Sequence, residues 1–305
     1  ILGIDPGAYG FGMSLVDIKT GKIKDSAFLH SNALISYVKA KESHEKISMP
    51  KQQYKAPFSD HLSKKQGAAV GDITHVIDRL MFHFNAFPAI ESLAPSSKAN
   101  EDSVWKELIS LYCHGDNDAQ NTKRKSYWYG ATRWHTPFER RIIGEKNPKP
   151  LFLAPGIKAN AFENSQRCAC CGRNPIADFK DTLANSSDQI RITNGELLLS
   201  KGTVCIQIPE AQTIASQRKM NRGPIYVDVQ DKVYPKNMNS SSSDAKMLVN
   251  AIARSIRRAY QFKQVKMGIS AKYVCAYKDC TYINNADSNA ASNAALKVFS
   301  QITLN

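Results

Sequence analysis

The order of apolar runs in the first 93 residues constrains the fold of this chain most strongly. Three short strand-like runs at residues 1–5, 11–18 and 23–29 are separated by turn residues, as in an antiparallel meander. Apolar side chains then recur at helical spacing over residues 62–84, and a short apolar run follows at residues 87–93. A long helix placed between strands predicts a crossover packed on a sheet, so an α/β fold is expected.

The rest of the chain has weaker patterns. Residues 31–58 are polar and basic without clear periodicity, which predicts a loop or linker. The later predicted elements are a helix at 102–112, a possible core strand at 151–154, a hairpin around 196–208, a helix at 244–261 introduced by the serines at 240–243, and an Ala-rich helix from Asp287 to about residue 300.

The charge of the chain indicates a polyanionic partner. Lysine and arginine number 41 against 27 acidic residues, a net charge of +14. Basic groups that bind phosphates release condensed counterions, which favours binding to nucleic acid. The alternative is a basic protein without such a partner.

The chain carries no recognisable membrane or targeting segment. No apolar run approaches the roughly 18 residues of a membrane helix, and the first residues do not form a signal peptide. Because the sequence does not begin with Met, it is expected to be a piece of a longer protein.

Three acidic residues stand at the ends of predicted elements. Asp5 ends the first strand, Glu91 lies in the strand after the long helix, and Asp287 stands where the last helix begins. Taken singly, Asp5 fits an ordinary turn, Glu91 an exposed strand end and Asp287 a helix N-cap. Together they match an RNase H-like layout, in which neighbouring strand ends bring carboxylates together. Carboxylate oxygens suit Mg²⁺ or Mn²⁺, and two such ions can promote phosphodiester hydrolysis.

Four of the seven cysteines form two close pairs. Cys168 and Cys171 belong to a Cys-x-x-Cys-Gly knuckle, and Cys275 and Cys280 are separated by four residues. Four thiolates would hold a tetrahedral zinc ion and fold a small ribbon around it. Two reduced pairs without metal are the alternative. Cys170, inside the knuckle, is predicted to be a bystander.

Four motifs, in order, then make the chain similar to a known family. They are Leu2-Gly3-Ile4-Asp5-Pro6-Gly7, the apolar strand ending in Glu91, the segment 164–172 (Asn-Ser-Gln-Arg-Cys-Ala-Cys-Cys-Gly), and the segment 287–293 (Asp-Ser-Asn-Ala-Ala-Ser-Asn). With these motifs the chain resembles the RuvC-like nuclease and zinc-ribbon region of TnpB and of type V CRISPR RNA-guided effectors. Its opening and ribbon are most similar to the CasY group. Two departures are Asn164 in place of Thr and the four-residue spacing of the second cysteine pair.

The resemblance implies a function and a site. It implies cleavage of target nucleic acid, most commonly DNA, directed by a guide RNA (crRNA). The catalytic Mg²⁺ or Mn²⁺ ligands would be Asp5, Glu91 and Asp287. Guide and target-motif recognition would belong to the remainder of the effector polypeptide, in a prokaryotic cytoplasm and away from membranes. Some family members only bind, so a guided binder that silences without cutting is an alternative, as is a site that acts mainly on RNA.

The resemblance also implies a division into domains. An RNase H-like mixed sheet with flanking helices would carry an inserted α+β target-loading domain with the zinc ribbon. The predicted boundaries are residues 1–93 for the first two nuclease motifs, 94–160 for the continuation of the core and the start of the insertion, 161–282 for the inserted zinc-ribbon region, and 283–305 for the third motif and the C-terminal helix.

Basic residues interleaved with aromatic ones are the candidates for contact with nucleic acid. Cations hold phosphates while aromatic faces stack unpaired bases. The alternative interpretations are that the aromatic residues belong to a hydrophobic core and that the arginines form the solvent-exposed face of a helix. The candidates are Lys123, Arg124, Lys125, Tyr127, Trp128 and Arg133, a patch of Arg218, Lys219 and Arg222, and Arg254, Arg257 and Arg258 on one face of the helix predicted at 244–261.

Overall fold

A computed structural model describes residues 1–7, 10–48, 60–91, 104, 108, 157–185, 189–206, 232–236, 238–259 and 271–303. The chain divides into two compact units. Unit 1 comprises Ile1–Phe162 and Ala291–Asn305, and unit 2 comprises Glu163–Ala290. Unit 1 has one sheet and unit 2 has two, and each unit has a hydrophobic core of its own.

The described elements make a mixed α/β protein, as the sequence predicts. In chain order they are β1 (Leu2–Pro6), β2 (Gly10–Val16), β3 (Ile23–His30), α1 (Asn32–Ser48), α2 (Asp60–Phe84), β4 (Pro88–Glu91), β5 (Ile157–Ala159), α3 (Pro175–Asn185), β6 (Ile190–Thr193), β7 (Glu196–Leu199), β8 (Gly202–Cys205), β9 (Val233–Tyr234), α4 (Ser243–Ile256), β10 (Arg257–Ala259), β11 (Ala271–Val274), β12 (Ile283–Asn285) and α5 (Ala286–Thr303).

The sheet of unit 1 has five strands in the order β3-β2-β1-β4-β5. The first three strands form the predicted antiparallel meander. β4 lies parallel to β1, and β5 lies parallel to β4. The sequence did not predict β5, and the core strand predicted at 151–154 lies outside the described residues. The parallel pairing of β1 with β4 brings the carboxyl ends of these two strands to the same edge of the sheet.

Of the two helices described near the start of unit 1, one agrees with its prediction and the other does not. α2 confirms the predicted helix; its last residue is Phe84, and the next residue, Asn85, has a left-handed φ of 47°. The loop predicted at 31–58 is wrong over its first part, where α1 forms. Ser31 caps α1 by accepting a hydrogen bond from the Leu34 amide at 3.1 Å. Among the described side chains of α1, the buried ones are Leu34, Ile35 and Tyr37 in its first two turns, and this apolar period is too short to detect in the sequence.

The sheet of unit 1 is covered on both faces. On one face Leu2, Ile4 and Ile90 pack in a core with residues of α1 and α2. On the other face Ala89 packs with Ala294, Ala295 and Val298 of α5. A Cβ atom added to Gly3 would overlap the carbonyl oxygen of Ala291, so β1 and α5 approach at a distance that only glycine permits.

Unit 2 contains a four-stranded sheet in the order β8-β7-β6-β9 and a three-stranded sheet in the order β10-β11-β12. The predicted hairpin is confirmed as β7 and β8. An Asn-Gly turn joins β6 to β7, with φ of 52° at Asn194 and 72° at Gly195. α3 was not predicted, because its apolar face has few members, Ile176, Phe179 and the partly buried Leu183, over 11 residues.

The helix predicted at 244–261 forms but ends early. α4 is capped by Ser242, which accepts a hydrogen bond from the Ala245 amide at 3.1 Å, and its last residue is Ile256. Residues Arg257–Ala259 then become β10 and pair with β11. The prediction that Arg257 and Arg258 lie on a helix face is therefore wrong, since antiparallel pairing extends the backbone there.

The last helix, α5, agrees with the Ala-rich helix predicted after Asp287. Among the helices in the described parts of the chain, none has the length and apolar character needed to cross a lipid bilayer.

Candidate functional site

Asp5 and Glu91 lie at the ends of two neighbouring parallel strands. In the β1–β4 register Ile4 is the partner of Ile90, and each acid follows directly after one of these isoleucines. Paired strands are about 4.8 Å apart, so the two backbones are neighbours at this edge. Both residues are half-buried. Two carboxylates in this position offer several oxygen ligands to a cation.

The two acids also share one face of the sheet. Side chains alternate along a strand, and Ile4 and Ile90 both point into the core beneath α1 and α2. Asp5 therefore lies on the same face as Gly3, and Glu91 on the same face as Ala89, which is the face packed by α5 within unit 1. The alternation brings both carboxylates to one side of the sheet edge.

Asp287 stands in the first turn of α5 and belongs to unit 2. Asn285, not Asp287, caps this helix, because its side-chain oxygen accepts from the amides of Asp287 and Ser288 at 2.9 and 3.1 Å. The N-cap interpretation of Asp287 is therefore wrong. Its carboxylate is 17% exposed and pairs with the Arg257 guanidinium at 3.1 Å. Burial raises the pKa of the Asp287 carboxyl, and the charge of Arg257 opposes that rise.

The asparagine two residues after Asp287 is bonded to the first cysteine knuckle. Asn289 is fully buried. Its side-chain oxygen accepts from the Ala169 amide at 3.0 Å, and its side-chain nitrogen donates to the Arg167 carbonyl at 2.9 Å. These two bonds join the start of α5 to the backbone on both sides of Cys168. Within unit 2 they give the asparagine of the Asp-x-Asn motif a positioning role.

Replacing Asn289 with Ala should destabilise unit 2. The substitution removes the bond to the buried Ala169 amide and the bond to the part-buried Arg167 carbonyl, at a cost of about 2–4 kcal/mol in the free energy of unfolding. Chemical denaturation followed by circular dichroism measures the loss. The matched control is Ser300→Ala on the exposed part of the same helix, where a change of less than about 0.5 kcal/mol is expected. Equal stability of the two variants would contradict a role for the Asn289 bonds.

The two cysteine pairs come together in unit 2, and they form a cluster that could hold a metal ion. The sulfur atoms of Cys168, Cys171, Cys275 and Cys280 all lie within 4.8 Å of one another. The Cys168–Cys280 and Cys171–Cys275 sulfur separations are 3.9 and 3.8 Å. Thiolates at about 2.3 Å from a tetrahedral ion would be about 3.8 Å apart. The four-residue spacing of the second pair is thus compatible with a closed four-sulfur site.

Backbone amides stabilise charge on these sulfurs. A hydrogen bond from the Cys275 thiol, with further bonds from the amides of Cys171 and Cys170, lowers the pKa of Cys168 to about 5 against the effect of burial. Donating that hydrogen bond raises the pKa of Cys275. Burial raises the pKa of Cys280 to about 11. Cys170 is exposed and lies outside the cluster, as predicted.

A polar network beside the cluster was missed by the sequence analysis. Arg173 pairs with Asp279 at 2.5 Å, and its guanidinium lies 4.0 Å from the centre of the Tyr277 ring. The Tyr277 hydroxyl donates to the carboxylate of Asp178 on α3. The Asp178 side chain is nearly fully buried and also pairs with Lys201 at 3.3 Å.

This network links the two cysteine-bearing loops. Tyr277 and Asp279 lie between Cys275 and Cys280, and Arg173 follows the Cys168–Cys171 knuckle, so the network holds the second loop against the first. The only sequence signal is the placement of these residues between and beside the cysteines.

The predicted nucleic-acid contacts are only partly described. Arg254 is half-buried on α4, and Arg257 is exposed but paired with Asp287. Arg258 lies in β10. The remaining candidates lie outside the described residues, namely Lys123, Arg124, Lys125, Tyr127, Trp128 and Arg133 in the first segment and Arg218, Lys219 and Arg222 in the second.

Comparisons with known proteins do not assign the chain to a family. No protein-family model matches the chain, and no curated protein matches it.

Proposed function

We propose that this chain is the metal-dependent endonuclease module of an RNA-guided effector of the type V class, with an RNase H-like fold in unit 1. The observation that carries the proposal is the register of β1 and β4, which brings Asp5 and Glu91 to one face at neighbouring strand ends. An antiparallel meander extended by parallel strands, in the order β3-β2-β1-β4-β5, is also the sheet expected of that fold.

The chemistry of the pair suits phosphodiester hydrolysis. Bound Mg²⁺ or Mn²⁺ would supply an activated water and neutralise charge on the leaving oxygen. Asp5 and Glu91 would act as oxygen ligands in their ionised form, and the repulsion between two close carboxylates would favour binding of a cation. Asp287 is proposed as the third ligand from its Asp-x-Asn-Ala-Ala-x-Asn motif. The Arg257 guanidinium pairs with the Asp287 carboxylate within unit 2.

The cysteine cluster of unit 2 is proposed to bind structural zinc. Four thiolates with these sulfur separations favour Zn²⁺ over the hard cations proposed for Asp5 and Glu91. Unit 2 is then a zinc-ribbon domain that loads the target nucleic acid. The guide RNA and the rest of the effector polypeptide are the proposed partners.

The proposal predicts Mg²⁺-dependent cleavage by the assembled effector. The complete protein with its guide RNA is incubated with labelled DNA and RNA targets side by side, with Mg²⁺ or with EDTA. Cleavage of DNA is expected only with Mg²⁺, because the carboxylates act through a bound cation. Binding of intact DNA in both conditions would contradict the nuclease and favour a guided binder. Cleavage of RNA alone would reassign the substrate.

A further inference from the structure

The four-sulfur cluster of unit 2 would carry a negative charge when it holds a metal ion. Four thiolates exceed the charge of one divalent ion by two, so the loaded site is a dianion. Cys168 and Cys275 are buried, and Cys171 and Cys280 are half-buried. A charge that is kept from water is costly unless hydrogen bonds or a group of opposite charge compensate it. A cation next to these sulfurs would therefore strengthen the binding of a metal ion.

Arg173 follows the first cysteine knuckle and is folded back onto it. Gly172 has a left-handed φ of 71°, a conformation that suits glycine. The Gly172 amide donates to the Cys168 carbonyl at 2.8 Å, and the Cys168 amide donates to the Arg173 carbonyl at 2.9 Å. This turn closes the knuckle and keeps Arg173 beside the cysteines.

The guanidinium of Arg173 has three neighbours that fix its position. Asp279 pairs with it at 2.5 Å, and the centre of the Tyr277 ring lies 4.0 Å from it. A Cβ atom added to Gly202 would lie 3.5 Å from a guanidinium nitrogen, so the start of β8 also borders the group. The Arg173 side chain is 23% exposed, and water and salt screen such a charge less than that of a surface arginine.

Cys171 is the cysteine on which this cation acts. Hydrogen bonds donated to the Asp279 carboxylate and, with a smaller effect, to the Cys171 sulfur raise the pKa of Arg173 against the effect of burial. The Asp279 side chain is 71% exposed, so water screens its charge more than that of Arg173. Asp279 therefore positions the guanidinium without cancelling its charge at the sulfur.

We propose that Arg173 is the counter-charge of the metal site, where its guanidinium donates a hydrogen bond to the Cys171 sulfur and stabilises the tetrathiolate complex of a divalent ion. This inference rests on the structural zinc proposed above. Groups that bond to metal ligands commonly change metal affinity by about 10- to 100-fold. The ion pair with Asp279 also links the two cysteine-bearing loops, so the choice of variants has to separate charge from structural support.

Metal binding by the full chain tests this inference. Zinc affinity is measured by competition with a chromophoric chelator, and Co²⁺ loaded in place of zinc gives a thiolate-to-metal charge-transfer band. Arg173→Gln removes the cation and should raise the Kd for zinc about tenfold. It should also move the cobalt band to longer wavelength, because sulfur electrons are held less tightly without a cation beside them. Arg173→Lys keeps the charge and should restore part of both values.

Asp279→Asn separates charge from support. The asparagine oxygen can still accept a hydrogen bond from the guanidinium, but the opposing negative charge is gone. Zinc should bind more tightly than in the wild type, and the cobalt band should move to shorter wavelength, opposite to Arg173→Gln. If Arg173 only linked the loops, both variants would weaken zinc binding. Arg191→Gln, which removes an exposed arginine from β6, is the control for net charge and should leave both values unchanged.

Two results would overturn the inference. A wild-type zinc Kd and cobalt band in Arg173→Gln would show that its charge does not act on the cluster. Shifts of the same sign in Arg173→Gln and Asp279→Asn would reduce Arg173 to a structural link, and Asp279→Asn alone decides the sign if Arg173→Gln does not fold. Failure of the structural zinc is distinguishable: a wild-type chain that takes up neither zinc nor cobalt would overturn both proposals, whereas normal uptake with unchanged variants would overturn this one alone.

Discussion

Replacing Asp5 with Ala should reduce target cleavage by the assembled effector about 1,000-fold or more, an increase of about 4 kcal/mol in the activation free energy. Asp5 follows Ile4, whose partner Ile90 precedes Glu91, so removing either carboxylate leaves half of the acidic pair. A single carboxylate holds a divalent cation poorly, because oxygen-ligated ions need several ligands in fixed positions. Glu91→Gln, which keeps the shape and removes the charge, should have a similar effect.

The measurement combines cleavage with binding. Gel assays with labelled target in Mg²⁺ give the rate, and the same complexes in EDTA give guide-dependent affinity, which should be unchanged in both variants. The matched control is Asp25→Asn on β3, an exposed acid in the same sheet, which should cut at the wild-type rate. Unchanged cleavage by both Asp5→Ala and Glu91→Gln would refute the nuclease site.

Replacing Cys168 with Ser should remove bound zinc and destabilise unit 2. Cys168 is fully buried and belongs to both the four-sulfur cluster and the core of this unit. Loss of one thiolate breaks the tetrahedral ligand set, and metal binding energy contributes directly to folding. We expect about one equivalent of zinc per chain in the wild type and little in the variant. The free energy of unfolding should fall by about 3 kcal/mol or more.

Cys170→Ser is the control for this prediction. It changes the same atoms in the same loop, but Cys170 is exposed and lies outside the cluster. Its zinc content by elemental analysis and its thermal melting should equal those of the wild type. Zinc retained at one equivalent in Cys168→Ser, or a wild type that is folded as purified and holds no zinc, would contradict the proposed structural zinc.

The parts of the fold that sequence predicts are those with long or regular patterns. α2 has seven apolar positions at helical spacing over 25 residues, and β1 to β3 are separated by clear turn residues. The cysteine cluster was predictable because the chemistry of four thiols is visible in their spacing alone. For Asp5 and Glu91, the strand-end positions were predictable, but the register that pairs Ile4 with Ile90 needed the structure.

The parts that sequence misses depend on tertiary contacts. The described side chains of α1 that are buried lie in its first two turns, and α3 has only 11 residues, so the apolar period of each helix is too short to recognise in the sequence. The end of α4 was misplaced because Arg257 is a good helix former, and only pairing with β11 extends the backbone there. Likewise, the sequence does not decide between Asn285 and Asp287 as the cap of α5, because both residue types are favoured there, and it does not indicate that Tyr277 bonds to Asp178.

The network of Arg173, Tyr277 and Asp178 has a consequence for how the cluster would bind a metal ion. Cys171 and Cys275 are 104 residues apart in the chain, and closing a flexible loop of that length costs about 4 kcal/mol in entropy. The network, with the Val204–Tyr277 strand bridge, closes that loop through protein contacts alone. An ion arriving at the four sulfurs meets ligands that are already assembled. Metal uptake should therefore follow the diffusion of the ion rather than the folding of the chain.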